Sequence, residues 1–135
     1  MRALALVCLL SVALAMAACG PGASTTGGAT TAGGSGGSTI TMGVSTFSGN
    51  ASVTIKAGQA VTFDDPSSSG GTHDLVTGTH GQFTAAAGAP TEFSAASGIM
   101  FSPGTSKTIT FPTAGTFQIT CTIHPSMQAT ITVTS

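Results

Sequence analysis

Five stretches in the latter part of the chain alternate apolar with small polar residues: "ASVTIKAG" (51–58), "QAVTFDD" (59–65), "SKTITFPTAG" (106–115), "GTFQITC" (115–121) and "QATITVTS" (128–135). A period of two, β-branched side chains and Gly or Pro at the ends predict strands with one buried face. That face collects Val53, Ile55, Val61, Phe63, Ile109, Phe111, Phe117, Ile119, Cys121, Ala129, Ile131 and Val133 as the expected core. No run of ten or more residues carries a helical stripe, and "AAAGAPTEFSAASG" (85–98) has room only for a short helical turn. Strands recurring about every ten residues, with turn residues between them, predict an all-β domain, an antiparallel sandwich or barrel.

Ahead of residue 39 the alternation is absent. "MRALALVCLLSVALAMAA" (1–18) runs from one Arg through an apolar stretch to small residues, the layout of a secretory signal, and is short for a spanning helix of about 20 residues. "MAAC" resembles the lipobox of bacterial lipoproteins, with Met16 where Leu is usual. That resemblance implies lipidation of Cys19 as the first mature residue. Ordinary cleavage near Ala17 or Ala18, leaving Cys19 a free thiol, is the alternative. Residues 20–38, "GPGASTTGGATTAGGSGGS", hold nothing larger than Ala among their apolar residues. They cannot offset the entropy of ordering and read as a flexible linker spanning on the order of 25 Å. The expected organisation is a signal over 1–18, Cys19 and its linker over 19–38, and a folded domain over 39–135.

Composition narrows the function classes. The chain is 41% hydrophobic and only 5% charged, with no Trp or Tyr, so hydroxyls and backbone must keep its surface wet. Beyond residue 2 the only basic side chains are Lys56 and Lys107, too few to neutralise a nucleic-acid backbone.

The chemistry concentrates in "CTIHPSM", residues 121–127. Cys121 ends an inward-facing strand pattern in a chain that looks exported, where thiols tend to pair. Its one mature partner, Cys19, sits at the predicted lipidation site beyond the linker. An inert buried thiol, a nucleophile and a metal ligand remain as readings. His124 and Met127 follow at three-residue steps in a segment that must turn, and Pro125 fixes the backbone after the histidine. Thiolate, imidazole and thioether form the donor set that selects copper, completed by a second histidine; zinc does not call for Met. His73 in "GGTHDLVTG" precedes an apolar pair and is the favoured completion, because a ligand belongs on a rigid element. His80, flanked by Gly, reads as a solvated loop histidine.

"GQAVTFDD", "THDLV", "PGTSKTITFPTAGTFQITC" and "CTIHPSM" resemble the cupredoxins, the blue copper proteins of plastocyanin and azurin type, over nearly all of residues 39–135. The Cys-x-x-His-x-x-Met spacing is similar to the short ligand loop of amicyanins. The resemblance implies a Greek-key β-sandwich of about seven to eight strands, with one type 1 copper held by His73, Cys121, His124 and Met127. Two residues depart from the family's pattern. Asp74 stands where Asn often ties the ligand loops together; a carboxylate there accepts hydrogen bonds but cannot donate, and its charge favours Cu(II). Ile123 replaces a proline of amicyanins, which loosens the expected hold on His124.

The function expected is one-electron transfer by a monomeric, membrane-tethered copper protein that is not an enzyme. It would pass electrons between a donor and an acceptor redox protein in the periplasm or on the outer face of a bacterial membrane. The same resemblance implies His124 as the electron port, and the apolar residues around it, Ile123, Pro125 and Met100, are the expected docking patch. The alternative is a copper-scavenging or delivery lipoprotein using the same ligands.

Overall fold

A computed structural model describes residues 38–49 and 51–135; the predicted signal, Cys19 and the linker up to residue 37 lie outside the described residues. The strands are β1 (Ser38–Met42), β2 (Phe47–Ser48), β3 (Ser52–Lys56), β4 (Ala60–Asp65), β5 (His73–Thr79), β6 (Gln82–Phe83), β7 (Ile99–Phe101), β8 (Thr105–Thr110), β9 (Gly115–Cys121) and β10 (Gln128–Thr134). β2 and β6 are two-residue pairings, which leaves eight strands of three residues or more. A 3-10 turn at Thr91–Phe93 is the only helical element among the described residues, inside the segment where the sequence leaves room for one.

Two sheets form, in the orders β2-β1-β4-β8 and β3-β10-β9-β5-β6, with β7 also paired to β5. The chain crosses between the sheets at β2→β3, β3→β4, β4→β5, β7→β8 and β8→β9, making a Greek-key sandwich. The alternation predicts antiparallel pairing throughout, and two pairs depart from it: β1 runs parallel to β4, and β3 parallel to β10. The cause is topological. β3 belongs to the second sheet and lies between β1 and β4 in sequence, so the chain returns to the first sheet already turned around.

Between the sheets, the inward positions of the five predicted strands are buried, with Val53 the one partly buried member. Phe63, Phe93, Phe101, Phe111 and Phe117 supply the bulk of this core in a chain of ring contacts at 5.5 to 6.4 Å. On the outer faces hydroxyls pair across strands, as between Thr62 and Thr108 at 2.9 Å, which is how so few charges suffice at the surface.

β1, β5 and β7 lie outside the five predicted strands. β5 hides because both its faces are covered: Leu75, Val76, Thr77 and Gly78 are all buried, so no alternation survives. Thr77 Oγ1 donates to the carbonyl of Phe93 at 3.2 Å, pinning the 3-10 turn against this strand.

Candidate metal centre

His73 opens β5 and Cys121 closes β9, antiparallel neighbours whose register sets Leu75 opposite Cys121. Two-residue periodicity puts His73 on the face of Leu75, so its ring reaches the thiol diagonally. Its Nδ1 lies 3.9 Å from Cys121 Sγ. After Cys121 the chain turns, and His124 brings its own Nδ1 to 3.8 Å from the same sulfur. The two imidazole rings tilt at 49° with centroids 5.0 Å apart, and the three ligand atoms lie within 4.8 Å of one another. His73 and Cys121 are buried; His124 is partly exposed. Met127, also buried, closes the turn and packs with the core.

Hydrogen bonds hold this hairpin. Met127 N–H donates to the His124 carbonyl at 2.9 Å, and Cys121 N–H to the Met127 carbonyl at 3.3 Å. Thr120, fully buried, accepts from Gly81 N–H at 2.9 Å and donates to the Met127 carbonyl at 3.0 Å, clipping the β5–β6 turn to the ligand loop. Gly81 (φ +75°) suits the left-handed backbone there, and a Cβ would crowd Pro125 Cγ at 3.0 Å. Ser126 Oγ donates to the Ser45 carbonyl at 3.1 Å. These bonds anchor the loop beside Ile123, where the sequence suggested looseness.

Asp74 accepts two hydrogen bonds from Thr122. Its Oδ2 accepts from Thr122 Oγ1 at 2.7 Å and its carbonyl from Thr122 N–H at 2.9 Å, so the segment after His73 is tied to the segment after Cys121. Gly98 (φ +61°) leaves the room: a Cβ there would land on the Asp74 carboxylate.

Asp65 has no counterpart in the sequence reading. It ends β4 fully buried, with Oδ1 3.9 Å from His73 Nε2. Among the described residues, the buried side-chain polar atoms without a hydrogen-bond partner are both Asp65 oxygens, Ser69 Oγ, His73 Nε2 and Asp74 Oδ1. All belong to His73, its successor, or the strand and connector leading up to it. Burial pushes the His73 pKa below its ordinary value of 6.5; Asp65 opposes that shift and His124 adds to it.

The donors fit a metal ion. Bonds of about 2.0 Å to nitrogen and about 2.3 Å to sulfur, spread at roughly 120°, put N and S about 3.7 Å apart. The two N···S separations here, 3.8 and 3.9 Å, are already close to that. Two imidazoles, one thiol and a methionine at the same hairpin are the donor chemistry of a trigonal copper site with a weak axial thioether. His80 lies exposed on the β5–β6 turn at φ +52°, outside the cluster.

Three large hydrophobic residues are exposed among the described residues: Val44 (63%), Met100 (52%) and Ile123 (49%). Ile123 adjoins His124, and Met100 pairs with Asp74. Val44, which the sequence reading missed, borders the site through Gly71: a Cβ on Gly71 would lie 3.5 Å from the Val44 carbonyl and 3.6 Å from His124 Cε1.

Comparison with known proteins agrees with this geometry. Residues 39–134 match the family described as copper binding proteins, plastocyanin/azurin family. Among solved structures, amicyanin from Paracoccus versutus (Thiobacillus versutus) is similar at a TM-score of 0.53 and 22% identity, covering 72% of this chain and 80% of that one. The reduced state of a point mutant of amicyanin is similar at a TM-score of 0.53 and 20% identity, covering 74% of this chain and 84% of that one. No curated protein sequence matches. With a Greek-key sandwich, a His, Cys, His and Met donor set suited to one type 1 copper ion, and a family match across the whole folded part, the chain belongs to the plastocyanin/azurin family of copper-binding proteins, the cupredoxins.

Proposed function

We propose that the protein is a one-electron carrier working outside the cytoplasm, with one copper ion held by His73 Nδ1, Cys121 Sγ, His124 Nδ1 and the Met127 thioether. The observation that carries this reading is the convergence of two imidazole nitrogens on one buried, unpaired thiol. A copper ion bound there supplies a one-electron couple. Cys121 contributes the thiolate, shielded from water and oxidants. His73 holds its donor nitrogen from a strand, and the hydrogen-bonded hairpin keeps His124 and Met127 in place, so the donors move little between oxidation states.

His124, the partly exposed ligand, is the electron port. Ile123, Pro125 and Met100, joined by Val44, offer an apolar rim on which a donor or acceptor redox protein docks briefly; the protein works as a monomer. Cys121 is too deeply buried to attack a substrate, which favours a carrier over an enzyme. Reading "MAAC" and the linker together, a lipid on Cys19 tethers the domain to the periplasmic or outer face of a bacterial membrane. Mass spectrometry of the mature protein is expected to find a diacylglycerol adduct on Cys19, and an unmodified Cys19 would remove the tether from this account.

Repeated electrochemical cycling of the copper-loaded protein tests carrier against scavenger. A carrier reduces and reoxidises reversibly with its copper retained; loss of the metal to a mild chelator during each cycle would instead support scavenging or delivery through the same ligands.

A further inference from the structure

We propose that Asp65 is a positioning residue for the copper centre: its carboxylate accepts the Nε2–H of His73, fixing the tautomer whose Nδ1 lone pair faces Cys121 and placing a negative charge behind that ligand. The inference rests on the copper reading given above.

Asp65 occupies a position that the strand's own pattern reserves for an apolar residue. β4 alternates outward and inward, and its inward side is Val61, Phe63 and Asp65, all fully buried. Its backbone carbonyl has a partner, accepting from Gly104 N–H at 2.7 Å. Its side chain is not: neither oxygen has a hydrogen-bond partner. Burying a carboxylate without partners costs several kcal/mol, and breaches of core patterning on that scale are expected at functional sites. The polar group facing it is His73 Nε2, 3.9 Å away and equally without a partner. By contrast, the Asp74 carboxylate is engaged by Thr122 and sits on the other side of the histidine's backbone.

The chemistry of the pair is directional. A carboxylate can only accept, and a neutral imidazole carries one N–H. With that proton on Nε2, facing Asp65, the bare nitrogen is Nδ1, the one 3.9 Å from the Cys121 sulfur. At 3.9 Å the pair stands about 1 Å beyond hydrogen-bond length, so the two side chains must approach by that much. A carboxylate behind a ligating histidine raises the basicity of the nitrogen that binds metal. Stronger donation and an added negative charge both stabilise Cu(II) over Cu(I), which lowers the reduction potential.

Two variants of the full chain separate the hydrogen bond from the charge. Asp65→Asn keeps an acceptor oxygen and removes the charge; Asp65→Ala removes both. In the metal-free protein, nitrogen-15 spectra of the histidine rings are expected to show His73 as the Nε2–H tautomer in wild type and as a tautomer mixture in Asp65→Ala; Asn, which can both donate and accept, is read through the potential. With copper, Asp65→Asn is expected to keep the intense thiolate-to-copper band at a higher potential, and Asp65→Ala to bind Cu(II) about 10–100-fold more weakly. A merely structural Asp65 would leave the tautomer and the potential unmoved. Wild-type His73 found mainly as Nδ1–H, or an Asp65→Asn potential equal to wild type, overturns the proposal. If wild type shows no thiolate-to-copper band, the copper reading fails separately, and the metal-free tautomer alone decides the role of Asp65.

Discussion

At the scale of single residues the site is defined by what is buried without company. Cys121 has no disulfide partner among the described residues, and His73 sits beside an equally buried carboxylate. Burial makes His73 reluctant to take a proton in the folded, metal-free protein, so its pKa lies below the 6.5 of the unfolded chain. The unfolded state then binds more protons as pH falls below about 6.5, and stability must drop with it. Denaturant unfolding of the metal-free protein is therefore expected at lower urea near pH 5.5 than near pH 7.5; an unchanged midpoint would mean that His73 titrates alike in both states. The candidate ligands could be picked out in the sequence because their chemistry is rare and three of them are close together. Asp65 could not: the alternation of Val61 and Phe63 already points it inward, but only the fold sets it against His73 on the other sheet.

Among the elements, the β9–β10 hairpin does most of the positioning, and Thr120 is its clip. Replacing it by Val keeps the shape and removes the hydroxyl, so Gly81 N–H loses that acceptor and the Met127 carbonyl keeps only the bond from Cys121 N–H at 3.3 Å. Losing these bonds is expected to cost about 1 kcal/mol or more in denaturant unfolding. A loss within error of zero would show that the β5–β6 turn is not coupled to the ligand loop. Strands with one wet face declared themselves by alternation, β3, β4, β8, β9 and β10 among them. β5 did not, since it is covered on both sides, and β1 begins directly at the end of the Gly/Ser/Thr-rich linker, whose composition masks "STITM". The parallel pairings of β1 with β4 and β3 with β10 come from the order in which the chain visits the two sheets, and local periodicity carries no information on that order.

For the whole molecule, the low charge and the proposed docking surface beside His124 point the same way. With three Lys or Arg and four Asp or Glu in the entire chain, long-range steering is weak. Electron self-exchange between oxidised and reduced copies of the protein is accordingly expected to change little between low and moderate salt, and a steep dependence would mean that charge, not the rim of Val44, Met100, Ile123 and Pro125, governs encounter. All of this stands on the claim that one buried thiolate binds copper. The most direct measurement adds Cu(II) to the protein and to its Cys121→Ser variant and records their visible spectra: the account predicts an intense thiolate-to-copper band in the first that is missing from the second, whereas no band in the wild type, or the same band in both, would contradict it.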